Sequence, residues 1–312
     1  MRTNTGSCWA KPFLNAGIWS DVPAPWLAVC GGVLLAFTLR EIFKDLFNPS
    51  ARGTLSGVIA RNTFRLGRHL RSFLPVAGPF ALILVILCWT FLLACGFALV
   101  YWTGYPGGFS FKIPEDQRQG GFWIMFYFSL QALTTLGTGD ITPVDGWMRA
   151  AAVLEALIGL ALVTASVSWI VLLYPALSRM RTLARRVSIL FKAGEETGID
   201  ALSEGVDRLL TDLADDLIRT RVDLIHFPII YYFHTNVADA SLPQALQRLP
   251  GFARAGSEQG ENKRVRLASA ALAAALSEFA ELLSQKFVKA DPWKPEAVFA
   301  AYATDHLADK RD

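Results

Sequence analysis

Residues 129–140 read Ser-Leu-Gln-Ala-Leu-Thr-Thr-Leu-Gly-Thr-Gly-Asp, and Ile141-Thr142-Pro143 follow. Glycine at alternate positions, Gly137 and Gly139, lets the backbone take positive φ angles at little steric cost. A chain that does so can turn successive carbonyl oxygens to one side. Rings of such oxygens replace the hydration shell of a cation. The apolar run before the loop, Phe122–Leu133, is 12 residues long. That is too short to cross a bilayer as a helix and fits one that enters the membrane and stops. Its C-terminal end would bring the negative pole of the helix dipole to the loop, which favours a cation. Irregular backbone at membrane depth is tolerated only where it is buried in protein or lines a watery path. An ordinary glycine-rich turn between two membrane helices would leave the apolar run without a purpose.

Other residues carry weaker signals. Glu155 lies inside a long apolar run, and an intramembrane carboxylate demands a reason. A structural hydrogen bond behind the loop is one; a gating or pH role is the other. Gly159 reads equally as a hinge or as a small residue for close helix packing. Arg61, Arg65, Arg68 and Arg71 have the spacing of a voltage-sensing helix. Asn62, Thr63, Gly67 and His69 among them are too polar for a span, so the expectation is a basic amphipathic helix lying on an anionic membrane surface. His226 and His234 are weak metal candidates, with no cysteine and few carboxylates nearby. Asp207, Asp212, Asp215 and Asp216 read as a solvated helix face, since no calcium-loop signature surrounds them. Tyr231-Tyr232-Phe233 reads as packing. No nucleophile–base constellation or cofactor motif appears, so no catalytic residue is assigned and an enzyme is the least favoured class.

The elements that must position the loop follow from the distribution of charge. Hydrophobic residues make up 53% of the 312-residue chain and charged residues 18%, below the quarter or so that soluble domains carry. No Asp, Glu, Lys or Arg occurs from Val22 to Leu39 or from Ser72 to Phe111, and Glu155 is alone between Ala150 and Ser178. A soluble monomer and a disordered chain are therefore excluded. Three spans are expected: about Val22–Leu39, Pro75–Trp102 with Tyr101 and Trp102 as interfacial aromatics, and Trp147–Tyr174 closed by Pro175. Thr54–Arg71 is the amphipathic helix, with Leu55, Val58, Ile59, Leu66 and Leu70 as its apolar positions. Breaks are expected at Asn48-Pro49-Ser50 and in the polar loop Gly104–Gly121. The start of the chain reads as a retained anchor rather than a cleaved leader.

Basic residues crowd Arg40–Arg71 and the stretch from Arg179 to Lys192, which places both in the cytoplasm and the N-terminus outside. Residues 176–312 are charged like an ordinary soluble domain and read as all helix. Helical stretches are expected at Ala201–Asp223 after Asp200, at Leu242–Leu249, and at Ala268–Lys289 after a polar loop Ala255–Lys263. There is no strand alternation and no nucleotide fingerprint. Net charge of +3 gives no argument for nucleic acid. Of the four cysteines, Cys30, Cys88 and Cys95 lie in apolar runs and Cys8 precedes them. No disulfide framework or zinc spacing is visible.

Ser129–Asp140 resembles the pore helix and selectivity filter of the potassium channel superfamily, whose filter pattern is T-V-G-Y-G-D. Here it reads Thr135-Leu136-Gly137-Thr138-Gly139-Asp140. Thr134 matches the threonine before the filter, Pro143 a proline after the aspartate, and Trp147 and Arg149 the outer start of the inner helix. Gly159 falls where the family often carries a hinge glycine. The resemblance covers about Pro75–Pro175 and is greatest to bacterial channels with two pore-forming spans, here with one extra span before them. It implies that carbonyls of Thr135, Leu136, Gly137 and Thr138, with the Thr135 hydroxyl, bind dehydrated K⁺ in file up to Gly139. Four chains close such a pore, so a homotetramer in the plasma membrane is implied. Gln131 matches a position that can bond the aspartate after the filter, so Gln131, Thr134, Asp140 and Glu155 are expected to support the filter.

Two positions depart from the pattern: Leu136 stands for the usual valine and Thr138 for the usual aromatic. The aromatic of relatives packs against the pore helix and holds the filter's diameter. Tyr127 and Phe128 are placed to fill the gap. The sequence is thus an all-α integral membrane protein: an N-terminal segment and first span (1–45), an amphipathic linker (46–72), a pore domain (73–178) and a helical cytoplasmic domain (179–312). The expected function is K⁺ conduction, with K⁺ as cargo and no cofactor. A weakly selective cation channel and a non-conducting receptor or scaffold are the alternatives. The ligand of the cytoplasmic domain is left unassigned.

Overall fold

A computed structural model describes residues 24–47, 54–69, 74–114, 120–197, 206–234, 241–259 and 262–306. Arg71, the break at residues 48–50, the helix start at Asp200, and the chain before residue 24 lie outside the described residues. In chain order the elements are α1 (Ala24–Phe47), α2 (Thr54–His69), α3 (Leu74–Trp102), β1 (Phe109–Phe111), α4 (Phe122–Leu133), β2 (Ile141–Pro143), α5 (Gly146–Thr197), α6 (Val206–His226), a 3₁₀ turn (Pro228–Tyr232), α7 (Leu242–Gln259), α8 (Lys263–Lys286) and α9 (Pro295–His306). Four helices, α1, α3, α5 and α8, are long and apolar enough to cross a membrane by length and composition. Contacts divide the chain into two units, residues 1–39 with 90–162 and residues 40–89 with 163–312.

In the first unit, α1 meets α3 through glycines. A Cβ added at Gly31 would lie 2.7 Å from the Gly96 carbonyl oxygen, and one at Gly96 would lie 2.8 Å from Leu35. Small residues let apolar helices approach where no water drives them together. The core joins Phe97 and Tyr101 of α3, Ile124, Met125 and Phe128 of α4, Met148 of α5, and the strands through Phe109 and Ile141. β1 and β2 pair antiparallel, Ser110 opposite Thr142. The sequence offered no strand here, because three residues are too few to show alternation. Tyr101 is fully buried rather than interfacial.

The second unit is a helical bundle in which α8 packs on α6, α7 and α9. Its core includes Leu210, Leu213, Leu217, Leu272, Leu276, Phe279 and Phe299. Asn262 opens α8 by accepting from the Arg264 amide at 2.9 Å, an N-cap that begins the helix five residues before the expected Ala268. Glu41, 1% exposed, accepts from the Leu55 amide at 3.2 Å and so places a carboxylate at the start of α2.

Two helices run on through a proline. Pro175 does not end the helix of the last span: α5 continues to Thr197. A proline removes one backbone donor and crowds the preceding turn, but Leu173, Ala176 and Leu177 are buried on either side of it and hold the helix line. Likewise α7 runs through Pro250 to Gln259, where Phe252 and Ala253 carry the buried face onward. The residues from Ala255 to Gln259 are therefore helix, not loop. α2 turns a second face inward, beside the apolar positions the sequence marked. Ala60, Thr63, Phe64 and Gly67 are buried, whereas Val58 and Leu66 are more than half exposed.

Candidate ion-conduction site

α4 forms over the same twelve residues the apolar run marked, and its end is closed by its own loop. The Thr134 amide bonds Leu130 O at 3.0 Å, the Thr135 amide bonds Ala132 O at 3.0 Å, and the Leu136 amide bonds Gln131 O at 2.9 Å. The Thr134 hydroxyl adds a 2.6 Å bond to Leu130 O. Carbonyls that would be orphaned at a helix end are thus satisfied. The backbone then takes positive φ at Thr135 (56°), Gly137 (53°) and Gly139 (71°). The glycines allow this cheaply; a β-branched threonine at positive φ is an outlier. The alternation therefore begins one step earlier than the glycines alone announced.

Thr138 is braced through its single hydroxyl in place of ring packing. Its hydroxyl lies 2.7 Å from Gln131 Oε1 and also contacts the Asp140 carboxylate. Gln131 Nε2 donates to Asp140 Oδ1 at 3.0 Å, the pair that the sequence placed within reach. Tyr127 donates to Asp140 Oδ2 at 3.1 Å, and the Ile141 amide donates to Oδ1 at 3.0 Å. Phe128 does not fill the gap left by the missing aromatic. It is buried against Tyr101 and Phe109, at ring distances of 5.1 and 5.3 Å. Tyr127 acts through its hydroxyl. The strand pair anchors the far end of the loop: Lys112 N bonds Asp140 O and Val144 N bonds Gly108 O, both at 2.8 Å. Arg149 Nε donates to Pro143 O at 3.0 Å, joining two positions that the family pattern singled out.

Glu155 is completely buried. It accepts from the Tyr101 hydroxyl at 2.8 Å and from the Ser129 hydroxyl. One carboxyl thus ties α3, α4 and α5 together. Sequence reasoning anticipated a hydrogen bond for Glu155 but not its partners. Ser129 had no signal beyond its place in an apolar helix, and Tyr101 sits at the span's end where aromatics usually face the interface. Gly159 lies directly under the end of α4: an added Cβ would stand 1.9 Å from Leu133 O. Close packing thus has a specific contact at this position. Thr134 through Thr138 are exposed in the single chain, Leu136 at 68%.

The remaining candidates lie in the second unit. Asp212 and Asp216 are not a free solvated face. Both pair with Arg186, at 2.7 and 2.8 Å. Asp207 opens α6 and Asp215 is exposed. His226 packs edge-on against Phe227, and His234 is half-buried, which pushes its imidazole below the ordinary value. Tyr231 stacks on Phe287 at 4.2 Å and on Tyr302 at 5.2 Å, as packing requires.

Residues 80–173 match the ion channel family model. The chain is also 27% identical over 191 residues to the "Uncharacterized membrane protein YdjJ" of Bacillus subtilis (strain 168). That alignment covers 58% of this chain and 55% of the relative, so the chain spans just over half of that protein's length. No solved structure matches. With the apolar helices, these likenesses support a multi-pass membrane protein whose residues 80–173 are similar to the ion channel family.

Proposed function

We propose that the chain is one subunit of a homotetrameric, potassium-type cation channel. The observation that carries this reading is the alternation of positive φ at Thr135, Gly137 and Gly139 immediately after a twelve-residue apolar helix. Four copies around an axis bring Thr135, Leu136, Gly137 and Thr138 into stacked carbonyl rings that take K⁺ from water in successive sites. The Thr135 hydroxyl forms the innermost ring and Gly139 closes the outermost turn. Asp140 stands at the outer mouth, where its charge concentrates cations. K⁺ is cargo, not cofactor.

In this reading α1, α3 and the first part of α5 span the plasma membrane, and α4 enters from outside and turns back. The N-terminus is then external. α2 and everything after residue 179 are cytoplasmic, following the basic residues. In this reading α8 does not span, which is supported by the packing of its apolar face on α6, α7 and α9 and by Lys263, Arg264 and Arg266 at its start. Gly159 is either the hinge of α5 or the seat of α4; the carbonyl beneath it favours the seat.

A second reading, a weakly selective cation pore with the same fold, is favoured by Thr138, whose hydroxyl replaces a ring that holds the filter's diameter in relatives. Tracer uptake into K⁺-loaded liposomes, with K⁺ or Na⁺ as the competing ion, separates the two. Strong competition by K⁺ alone supports the first, and equal competition the second. Gly137→Ala or Gly139→Ala should reduce uptake to background, since a side chain at positive φ costs about 1–2 kcal/mol per residue in every subunit. Uptake that survives both changes would overturn the conduction path.

A further inference from the structure

The second unit contains a cleft of about 340 Å³ between α2, the C-terminal end of α8 and Asp305. Five cations line it: Arg61, Arg65, Arg68, Lys286 and Lys289. Asp305 is the carboxylate among its lining residues, and it is already engaged. Arg68 Nη1 lies 2.7 Å from one oxygen, and the Tyr231 hydroxyl donates to the other at 2.6 Å. Among the described residues, Arg61, Arg65 and Lys289 have no ion-pair partner.

The cluster is held in place. Phe64, one turn from the arginines and 3% exposed, packs against Tyr232 at 5.5 Å and His306 at 5.1 Å. That contact fixes α2 against the 3₁₀ turn and α9, and the cleft lies between α2 and the end of α8. Like charges one turn apart on a helix repel, so the fold assembles cations that its own carboxylates do not neutralise. At the end of α8, Leu283 O is occupied by the Phe287 and Val288 amides, at 2.8 and 3.0 Å. The guanidinium forks of two arginines match the paired oxygens of a phosphate.

We propose that this cleft binds a phosphate-bearing anion, with Arg61 and Arg65 as forked donors and Lys289 as a point charge. The location favours the headgroup of an anionic phospholipid as the source. α2 ends against the first turn of α3, where a Cβ at Gly67 would lie 3.0 Å from Ala77, and α3 is apolar from Val76 to Trp102. The cleft thus opens beside the end of a helix long enough to cross the bilayer. A small soluble phosphate shares the chemistry and is a separate arm of the test.

The experiment uses the full-length protein in detergent. The probes are short-chain phosphatidylglycerol, short-chain phosphatidylcholine and inorganic pyrophosphate. Modification of Arg61 and Arg65 by phenylglyoxal, read by mass spectrometry, reports occupancy, and a titration gives the affinity. Phosphatidylglycerol should protect both arginines and phosphatidylcholine should not. Arg61→Gln combined with Arg65→Gln should weaken phosphatidylglycerol binding by on the order of tenfold or more, and added salt should weaken binding to the parent protein. Arg208→Gln, an exposed cation on α6 outside the cleft, should change nothing. Protection by pyrophosphate as well would make the phosphate itself the recognised group. Protection by pyrophosphate alone would keep the anion site and overturn the lipid source. No protection by either, or binding unchanged in the double variant, would overturn the proposal. None of these readouts involves flux, so this site and the conduction reading stand or fall separately.

Discussion

Glu155 and Asp223 are both buried carboxyl groups, at 0% and 6% exposure, and the two units hold them by different means. In the first unit Glu155 meets only hydroxyls, from Tyr101 and Ser129. Asp140 in the same unit meets Tyr127, Gln131, Thr138 and a backbone amide. No ion pair to Lys or Arg occurs among the described residues there. In the second unit Asp223 takes both arms of Arg179 at 2.7 Å, Arg186 spans Asp212 and Asp216, and Arg68 meets Asp305. The difference follows from the surroundings. A guanidinium in an apolar medium carries a desolvation cost that a carboxylate partner does not always offset. In the bundle, Arg179 is 46% exposed and stays hydrated behind the fork that meets Asp223.

The sharpest way to break this comparison is at Gly159, where α5 meets the end of α4 with no room for a side chain. Gly159→Ala places a methyl group 1.9 Å from Leu133 O, and overpacking of this kind costs up to about 3 kcal/mol. The expected outcome is a lower unfolding midpoint in detergent together with a loss of K⁺ uptake. Parental uptake would separate filter placement from α5.

Next is the hydroxyl network. Glu155→Ala leaves two buried hydroxyls without their acceptor and should destabilise by about 2 kcal/mol. Glu155→Gln keeps an acceptor oxygen and should lose less. Equal losses in the two variants would mean that shape, not hydrogen bonding, is what Glu155 supplies.

Arg179→Gln should cost about 1 kcal/mol, because half of the arginine is already in water. The loss should appear as faster amide exchange in α6. Unchanged exchange would reduce this pair to a surface contact.

The smallest effect is that of acid on the bundle. His306 is buried, which pushes its imidazole below the ordinary 6.5 despite the Tyr231 carbonyl, the Asp305 carboxylate and the Tyr302 carbonyl, all of which favour its charged form. A group with a depressed imidazole value binds protons more readily when unfolded. Its contribution is therefore complete above about pH 6.5 and is lost as the pH falls through that value. Stability of α9, followed by amide exchange between pH 7.5 and 5.5, should decline toward acid. His234 shifts the same way, so His306→Gln should reduce this slope without removing it. A slope unchanged in that variant would assign the effect to His234.

Much of the first unit was legible without coordinates. The run Phe122–Leu133 gave α4 its bounds because an apolar stretch flanked by glycine and threonine carries its own ends. Gly137 and Gly139 announced positive φ, and Gln131 was placed to reach Asp140. The strands were not legible, nor were the two helices that continue through Pro175 and Pro250. A proline is a local signal to stop, and only the buried faces on both sides of it, at Leu173 and Leu177 or at Leu249 and Phe252, outweigh it. The contact of α2 with the bundle was not legible either: Phe64 meets the aromatic cluster of the bundle through residues far away in sequence.

The sequence by itself determined where apolar helices lie, how long they are, and which loop can turn its carbonyls to one side. Those properties depend on residues within a turn or two of one another. Only the tertiary structure decided that Thr138 is braced by Gln131 and Asp140, that Tyr101 and Ser129 share Glu155, and that Gly159 lies under Leu133 O. These partners are up to 54 residues apart, and a hydrogen bond needs its atoms within about 3 Å at a favourable angle. That coincidence is set by how side chains of α3, α4 and α5 interlock, which no single stretch of sequence contains.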